Sequence, residues 1–290
     1  MSEEFSKMET LRRVPVIGAR IADRIEAAPT VGILRLSGVI GPPGMGRRQA
    51  LALTELASSI ERVFKLPRLE AVALSVNSPG GAPVQAALIA GRIRQLADET
   101  EVPVYAFCED VAASGGYWLA CAAEEIYADP ASIVGSIGVI SAGFGFPEML
   151  EKLGIERRVH VSGDKKDMLD PFVAERPDDI ERLRDLQEDI HDQFKQYVLT
   201  RRGEKLKADE DVLFSGEFWT GRRAEELGLI DGLGDLRSVM RELYGAKVNL
   251  KVVDAPRRFG LQRILGSRNG YVEQALAAVE ERLSWGRFGL

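Results

Sequence analysis

The sequence predicts an α/β fold with a parallel sheet, and three observations carry that expectation. Apolar runs of strand length recur at Val31–Ile40, Ala71–Val76 and Val102–Cys108. Between them lie segments whose apolar residues fall at helical spacing. Strands that alternate with helices of about 10–15 residues indicate β-α-β units, and this alternation runs over residues 31–163.

Each element has its own warrant. Residues 1–30 are mixed and polar and read as an N-terminal arm. VGILRLSGVI (31–40) is apolar enough for a buried strand, and GPPGMG (41–46) follows as a loop. From Arg47 to Phe64, Leu51, Leu53, Leu56, Ile60 and Val63 recur at helical spacing. AVALSV (71–76) is the second strand and runs into NSPGG (77–81), with Pro83–Leu96 helical after it. Beyond the strand at 102–108, Ala112–Ala123 reads as a helix despite its glycines. Glu125–Ala128 is a short strand ended by Asp129-Pro130, and RRVHV (157–161) has the pattern of a strand. Residues 177–203 form one long helix, acidic in its first half. A further helical stretch covers about 221–243, with Gly228, Gly232 and Gly234 as breakers, and Lys247–Val253 alternates like a strand. Residues 271–285 form an amphipathic helix with Val272, Leu276, Val279 and Leu283 on one stripe. The main domain is therefore expected over 31–244, with 245–290 as a strand and helix extension.

Composition narrows the class. The 290 residues are 45% hydrophobic and 28% charged, ordinary for a soluble globular chain with a sizeable core. The net charge of −6 argues against general nucleic-acid binding. Residues 251–290 reverse the balance, with seven basic against four acidic residues, and such a tail suits an acidic partner or an anionic lipid surface. Cys108 and Cys121 both lie in apolar runs and read as buried free thiols, not as a disulfide framework. No secretory signal and no apolar run of spanning length is visible, which leads to the expectation of a cytoplasmic protein, at most peripheral at the inner face of a membrane. No His/Cys/Asp cluster has metal spacing and no cofactor is expected; Gly41–Gly46 lacks the Lys-Ser/Thr of a phosphate loop.

Three segments hold residues suited to chemistry. Asn77-Ser78-Pro79-Gly80-Gly81 ends a buried strand just before a helix, where exposed N–H groups can hold an anion; a plain tight turn would look the same. Ala112-Ala113-Ser114-Gly115-Gly116-Tyr117 places a serine at a strand-to-helix turn. There the free N–H groups and dipole of a helix start stabilise developing negative charge, and an N-capping serine is the competing reading. Ser162-Gly163-Asp164-Lys165-Lys166-Asp167 offers two lysines. A serine nucleophile needs a base. The two histidines, His160 and His191, have no neighbourhood that suggests a triad. A lysine serves instead where burial favours its neutral form.

Together these segments, with Gly135-Ser136-Ile137-Gly138-Val139 between them and FWTGRRAEELGLID (218–231) after them, resemble the signal-peptide peptidase A family of serine peptidases. The resemblance runs from about Val31 to Met240. It implies a crotonase/Clp-protease-like parallel β-α-β superhelix with a helical C-terminal extension. It also implies roles: Ser114 as nucleophile, Lys166 as base with Lys165 as its rival, Ser136 as support for the lysine, and the backbone N–H groups of Gly81 and Gly115 as the oxyanion hole. Extended peptides would be the substrates, signal-peptide remnants among them, and the chain would form a ring-like homo-oligomer. Many members carry an N-terminal membrane anchor that this sequence does not show. The C-terminal amphipathic helix would then lie on a membrane surface or pack against another subunit. Two other classes remain. An acyl-CoA hydratase or isomerase on the same fold would need a carboxylate base, and an inactive scaffold would lack an intact Ser-Lys pair.

Overall fold

The computed structural model describes residues 28–41, 51–253, 279 and 282–289. In chain order it contains β1 (Thr30–Ser37), α1 (Leu53–Phe64), β2 (Leu69–Ser78), α2 (Pro83–Thr100), β3 (Val104–Ala113) and α3 (Gly115–Ala120). There follow β4 (Glu125–Ala128), β5 (Ile133–Gly135), α4 (Pro147–Lys152), α5 (Pro177–Arg202), α6 (Glu210–Leu213), β6 (Phe218–Thr220), α7 (Gly221–Glu226), β7 (Gly232–Leu233), α8 (Leu236–Tyr244) and β8 (Asn249–Val252). The described strands join in one sheet of order β6-β5-β3-β2-β1-β8. Every pairing is parallel except that of β5 with β6. This is the parallel β-α-β arrangement that the sequence predicts.

The pleat explains why the strands are apolar throughout. Successive side chains point to opposite faces, and both faces are covered. Leu34, Leu36, Val72, Leu74, Val76, Val104 and Ala106 pack on the side of α1, α2 and α3. Val31, Ile33, Ala71, Ala73 and Phe107 pack with Met240 of α8 on the other. On α1 the stripe Leu56, Ile60, Val63 and Phe64 is buried, and each such side chain removed from water contributes about 1.5–3 kcal/mol.

β3 extends five residues past its expected end. Glu109 and Asp110 resemble a polar break, but β2 supplies polar partners opposite them. The Ser75 hydroxyl donates to Glu109, and the Asn77 amide donates to Asp110 at 2.9 Å. Beyond this point β3 changes neighbour: Tyr105–Cys108 pair with β4, and Val111–Ala113 pair with β5. The change of neighbour sets the C-terminal end of β3 beside β5.

Three further expectations are corrected. The helix expected over Ala112–Ala123 begins only at Gly115, because Ala112 and Ala113 are still paired with Val134 and Gly135 of β5. The stretch at 221–243 is two helices, α7 and α8, separated by β7, which pairs with Tyr127 and Ala128 of β4. RRVHV at 157–161 is exposed and forms no strand, since no neighbouring strand offers it a ladder. The helix expected at 271–285 lies largely outside the described residues, which show only 279 and 282–286 as helical. β8, from the expected C-terminal extension, pairs with β1 inside the main sheet.

Candidate active site

Ser114 sits between the end of β3 and the start of α3, with φ 53° and ψ −123°. A residue with a side chain rarely adopts this backbone, so the surroundings must hold it. They do so from both sides: its N–H donates to the Gly135 carbonyl at 2.8 Å, and its carbonyl accepts from the Trp118 N–H at 3.0 Å. Ser114 is the N-cap position of α3, yet its hydroxyl makes no capping hydrogen bond. The capping alternative therefore falls away, and Ser114 lines the cavity at this end of the sheet.

Gly80 and Gly81 shape the opposite wall. Gly80 has φ +102°, and a Cβ there would come within 2.8 Å of the Ser114 Cβ and 3.0 Å of the Gly115 nitrogen. Only a glycine allows so close an approach. Gly81 has φ +139°, and a Cβ on it would run into the Ile40 carbonyl at 2.0 Å. Ile40 bonds the residues on either side, donating to the Gly80 carbonyl at 2.8 Å and accepting from the Ala82 N–H at 2.9 Å. In a parallel bridge of this kind the intervening Gly81 N–H points away from Ile40. Gly115 is the first residue of α3, and N–H groups of a first helical turn have no partner within the helix. Gly81 and Gly115 both border the cavity that Ser114 lines.

That cavity has a volume of about 650 Å³, and Gly81, Ser114, Gly115 and Ser136 all line it. Trp118, Phe194, Ile190, Val139, Ile140 and Val39 give it apolar walls. The Trp118 ring stacks on Phe194 at 4.7 Å and on Tyr197 at 5.2 Å, which fixes the wall that α3 and α5 share. Leu283, Ser284 and Arg287 reach the rim, and Phe288 contacts Phe218 edge to face at 5.1 Å. None of the described residues lining the cavity is Asp or Glu. Burial pushes the thiols of Cys108 and Cys121 up to about 12, so neither is a nucleophile at ordinary pH. Among the described residues no group of His, Cys, Asp and Glu could hold a metal ion, and no helix is long and apolar enough to cross a membrane.

Lys165 and Lys166 are not brought to this cavity. They lie in an exposed turn where the Lys166 N–H donates to the Gly163 carbonyl at 3.0 Å. Ion pairs hold the turn at the start of α5: Lys165 to Asp178 at 3.7 Å, and Arg176 to Asp167 at 3.0 Å and to Asp179 at 2.8 Å. The cavity meets α5 only at Ile190, His191 and Phe194. Asp178 and Ile190 are twelve helical steps apart, about 18 Å along the axis. The residue that sequence reasoning missed is His191. Its position in an acidic helix suggests a surface side chain, but the helix turns it into the cavity, with Nε2 3.1 Å from the Ile137 carbonyl.

Comparisons with known proteins identify the family. The model of peptidase family S49 matches residues 97–251. A Brucella abortus (strain 2308) protein named Na(+)/H(+) antiporter NhaA is 49% identical over 303 residues, which cover 100% of this chain and 40% of that protein. The chain thus spans well under half the length of that relative. The protease slr0021 of Synechocystis is 33% identical, over 87% of this chain and 90% of its own length. The chloroplastic serine protease SPPA of Arabidopsis thaliana is 32% identical, over 76% of this chain and 32% of its own. The family match covers more than half of the sequence and includes Ser114, Ser136 and both lysines, and the chain belongs to peptidase family S49.

Proposed function

We propose that the chain is a serine endopeptidase that cleaves extended peptides through an acyl-enzyme on Ser114. The observation that carries this reading is Ser114, its hydroxyl uncapped on a strained turn, at a cavity that Gly81 and Gly115 also line. The hydroxyl oxygen attacks the peptide carbonyl and its proton passes to a base. The Gly81 and Gly115 N–H groups stabilise the oxyanion, and removing one such donor typically costs about 3–4 kcal/mol. Collapse of the tetrahedral intermediate expels the amine, which takes up the proton. Water then attacks the ester by the same route and frees Ser114. The apolar walls suit a small or apolar substrate side chain. A hydratase would need a carboxylate at the acyl group, and the described cavity residues supply none.

The base in this proposal is Lys166, with Ser136 as its support. A lysine works as a base only where burial disfavours its charged form, so the segment that carries Lys166 needs a covering surface. The segment is made for one. Ile140, Phe144, Leu153, Ile155, Val159 and Val173 are all exposed, Phe144 to 76%. So dense an apolar stretch marks a contact surface, and a second copy of this chain is the proposed cover, in a homo-oligomer that brings a lysine to each Ser114. The C-terminal segment is the proposed peripheral membrane contact, although Leu283 also reaches the cavity rim.

The test uses a fluorogenic peptide and a fluorophosphonate probe. Ser114→Ala is expected to abolish both hydrolysis and labelling. Lys166→Ala is expected to be equally inactive, and Lys165→Ala to retain most activity. Turnover by Ser114→Ala refutes the nucleophile, and a reversed result for the lysines moves the base to Lys165.

A further inference from the structure

The loop Gly135–Gly138 is held in a constrained shape beside Ser114. Gly135 has φ +108° and Ser136 has φ 52°, so two consecutive residues lie in left-handed backbone, one of them with a side chain. Such a loop keeps its shape only where its surroundings over-determine it. Three ties do so here. The Gly135 carbonyl accepts from the Ser114 N–H at 2.8 Å, and the Ser136 N–H donates to the Glu217 carbonyl at 2.7 Å. The third is the Ile137 carbonyl, 3.1 Å from His191 Nε2. It is the one tie of the three made by a side chain.

A carbonyl only accepts, so Nε2 carries the hydrogen whether the ring is neutral or charged. That nitrogen then has no lone pair with which to take a proton from Ser114, and His191 cannot act through it as the base. We propose that His191 is a positioning residue of the peptidase site. By holding the Ile137 carbonyl it fixes the loop that orients Ser136 and, through Gly135, the backbone of Ser114. The inference rests on the reading of Ser114 as nucleophile. Nothing in the match to peptidase family S49 assigns His191 a role.

The experiment compares His191→Gln with His191→Leu in the full chain. Both side chains fill the space, but only the glutamine amide can donate to the Ile137 carbonyl. The measurements are the thermal midpoint, kcat and KM on a fluorogenic peptide, and the rate at which a fluorophosphonate labels Ser114. His191→Leu is expected to lose up to about 100-fold in kcat and labelling rate with KM little changed, the scale of a mispositioned catalytic group. His191→Gln is expected to recover most of that loss. A His191→Gln variant as slow as His191→Leu at an unchanged midpoint overturns the inference, and so does a His191→Leu variant as fast as wild type. If His191→Leu does not fold, His191→Gln decides alone: near-normal kcat supports the role and a dead enzyme overturns it. A wild-type protein that takes no label sinks the serine reading and this inference with it, whereas a labelled wild type with either adverse result sinks only the inference.

Discussion

Replacing Gly80 with alanine is the sharpest test of how the site is built, because the residue does no chemistry. Its new Cβ would lie 2.8 Å from the Ser114 Cβ, 3.0 Å from the Ala113 carbonyl oxygen and 3.0 Å from the Gly115 nitrogen. These neighbours are main chain or the first side-chain atom, so none can rotate away. The turn must shift, and with it Ser114 and the Gly115 N–H, the proposed nucleophile and one of the proposed oxyanion donors. Holding alanine at φ +102° adds roughly 1–3 kcal/mol of strain. In a chain of this size that lowers the melting temperature by roughly 2–4 °C per kcal/mol. The catalytic loss is the larger effect: one misplaced donor costs about 2.7–4 kcal/mol, or about 10²–10³ in kcat. Gly91→Ala is the control. Gly91 lies within α2 with open space around its Cα, so alanine there stabilises by up to about 1 kcal/mol and leaves kcat unchanged. Calorimetry and peptide hydrolysis on both variants make the comparison. A Gly80→Ala enzyme with wild-type kcat would refute the claim that this approach to Ser114 sets the geometry.

Two other predictions concern the scaffold. Arg202 is buried and bonds Asp231 at 2.8 Å and the Gly228 carbonyl at 2.9 Å, so Arg202→Met leaves that carbonyl without its donor and Asp231 with only Lys205, at 2.7 Å, as its cation, and is expected to cost about 1–3 kcal/mol in urea unfolding at pH 7. Burial alone would raise the Asp231 carboxyl, but hydrogen bonds from Arg202 and Lys205 outweigh it and hold the group below its ordinary range. A lowered native value stabilises the fold above the ordinary aspartate value of about 3.9 and loses that effect as pH falls through the native value. The gap between wild type and Arg202→Met is therefore expected to narrow below about pH 4; a gap independent of pH would refute the ion-pair account. The thiols of Cys108 and Cys121, pushed up to about 12 by burial, are expected to resist iodoacetamide at pH 8 in the folded protein and to react on unfolding. Rapid labelling of the native protein would contradict their placement.

The strands were legible because a buried parallel sheet needs apolar runs, and Val31–Ile40 and Ala71–Val76 are such runs. The turn that carries Ser114, the proposed nucleophile, was legible for a local reason. A serine followed by two glycines at a strand-to-helix turn is a short-range pattern, and the structure gives Ser114 a backbone strained as such a turn requires. The full length of β3 was not legible, since Glu109 and Asp110 become acceptable in a strand only beside Ser75 and Asn77. His191 was invisible for the same reason. Its partner, the Ile137 carbonyl, lies 54 residues away, and no local pattern in α5 announces that contact.

The sequence by itself determined the parallel α/β class, the serine and the two glycine turns that flank it, since each depends on what a few adjacent residues can do. Only the tertiary structure decided that the Ser114 hydroxyl caps nothing, that Gly80 must lack a side chain, and that a histidine reaches the site. It also sets the lysines in an exposed turn tied to the start of α5, outside the residues that line the cavity at Ser114. These are relations between distant segments, fixed by which strands pair and which helix faces the sheet, and spacing along the chain does not encode them.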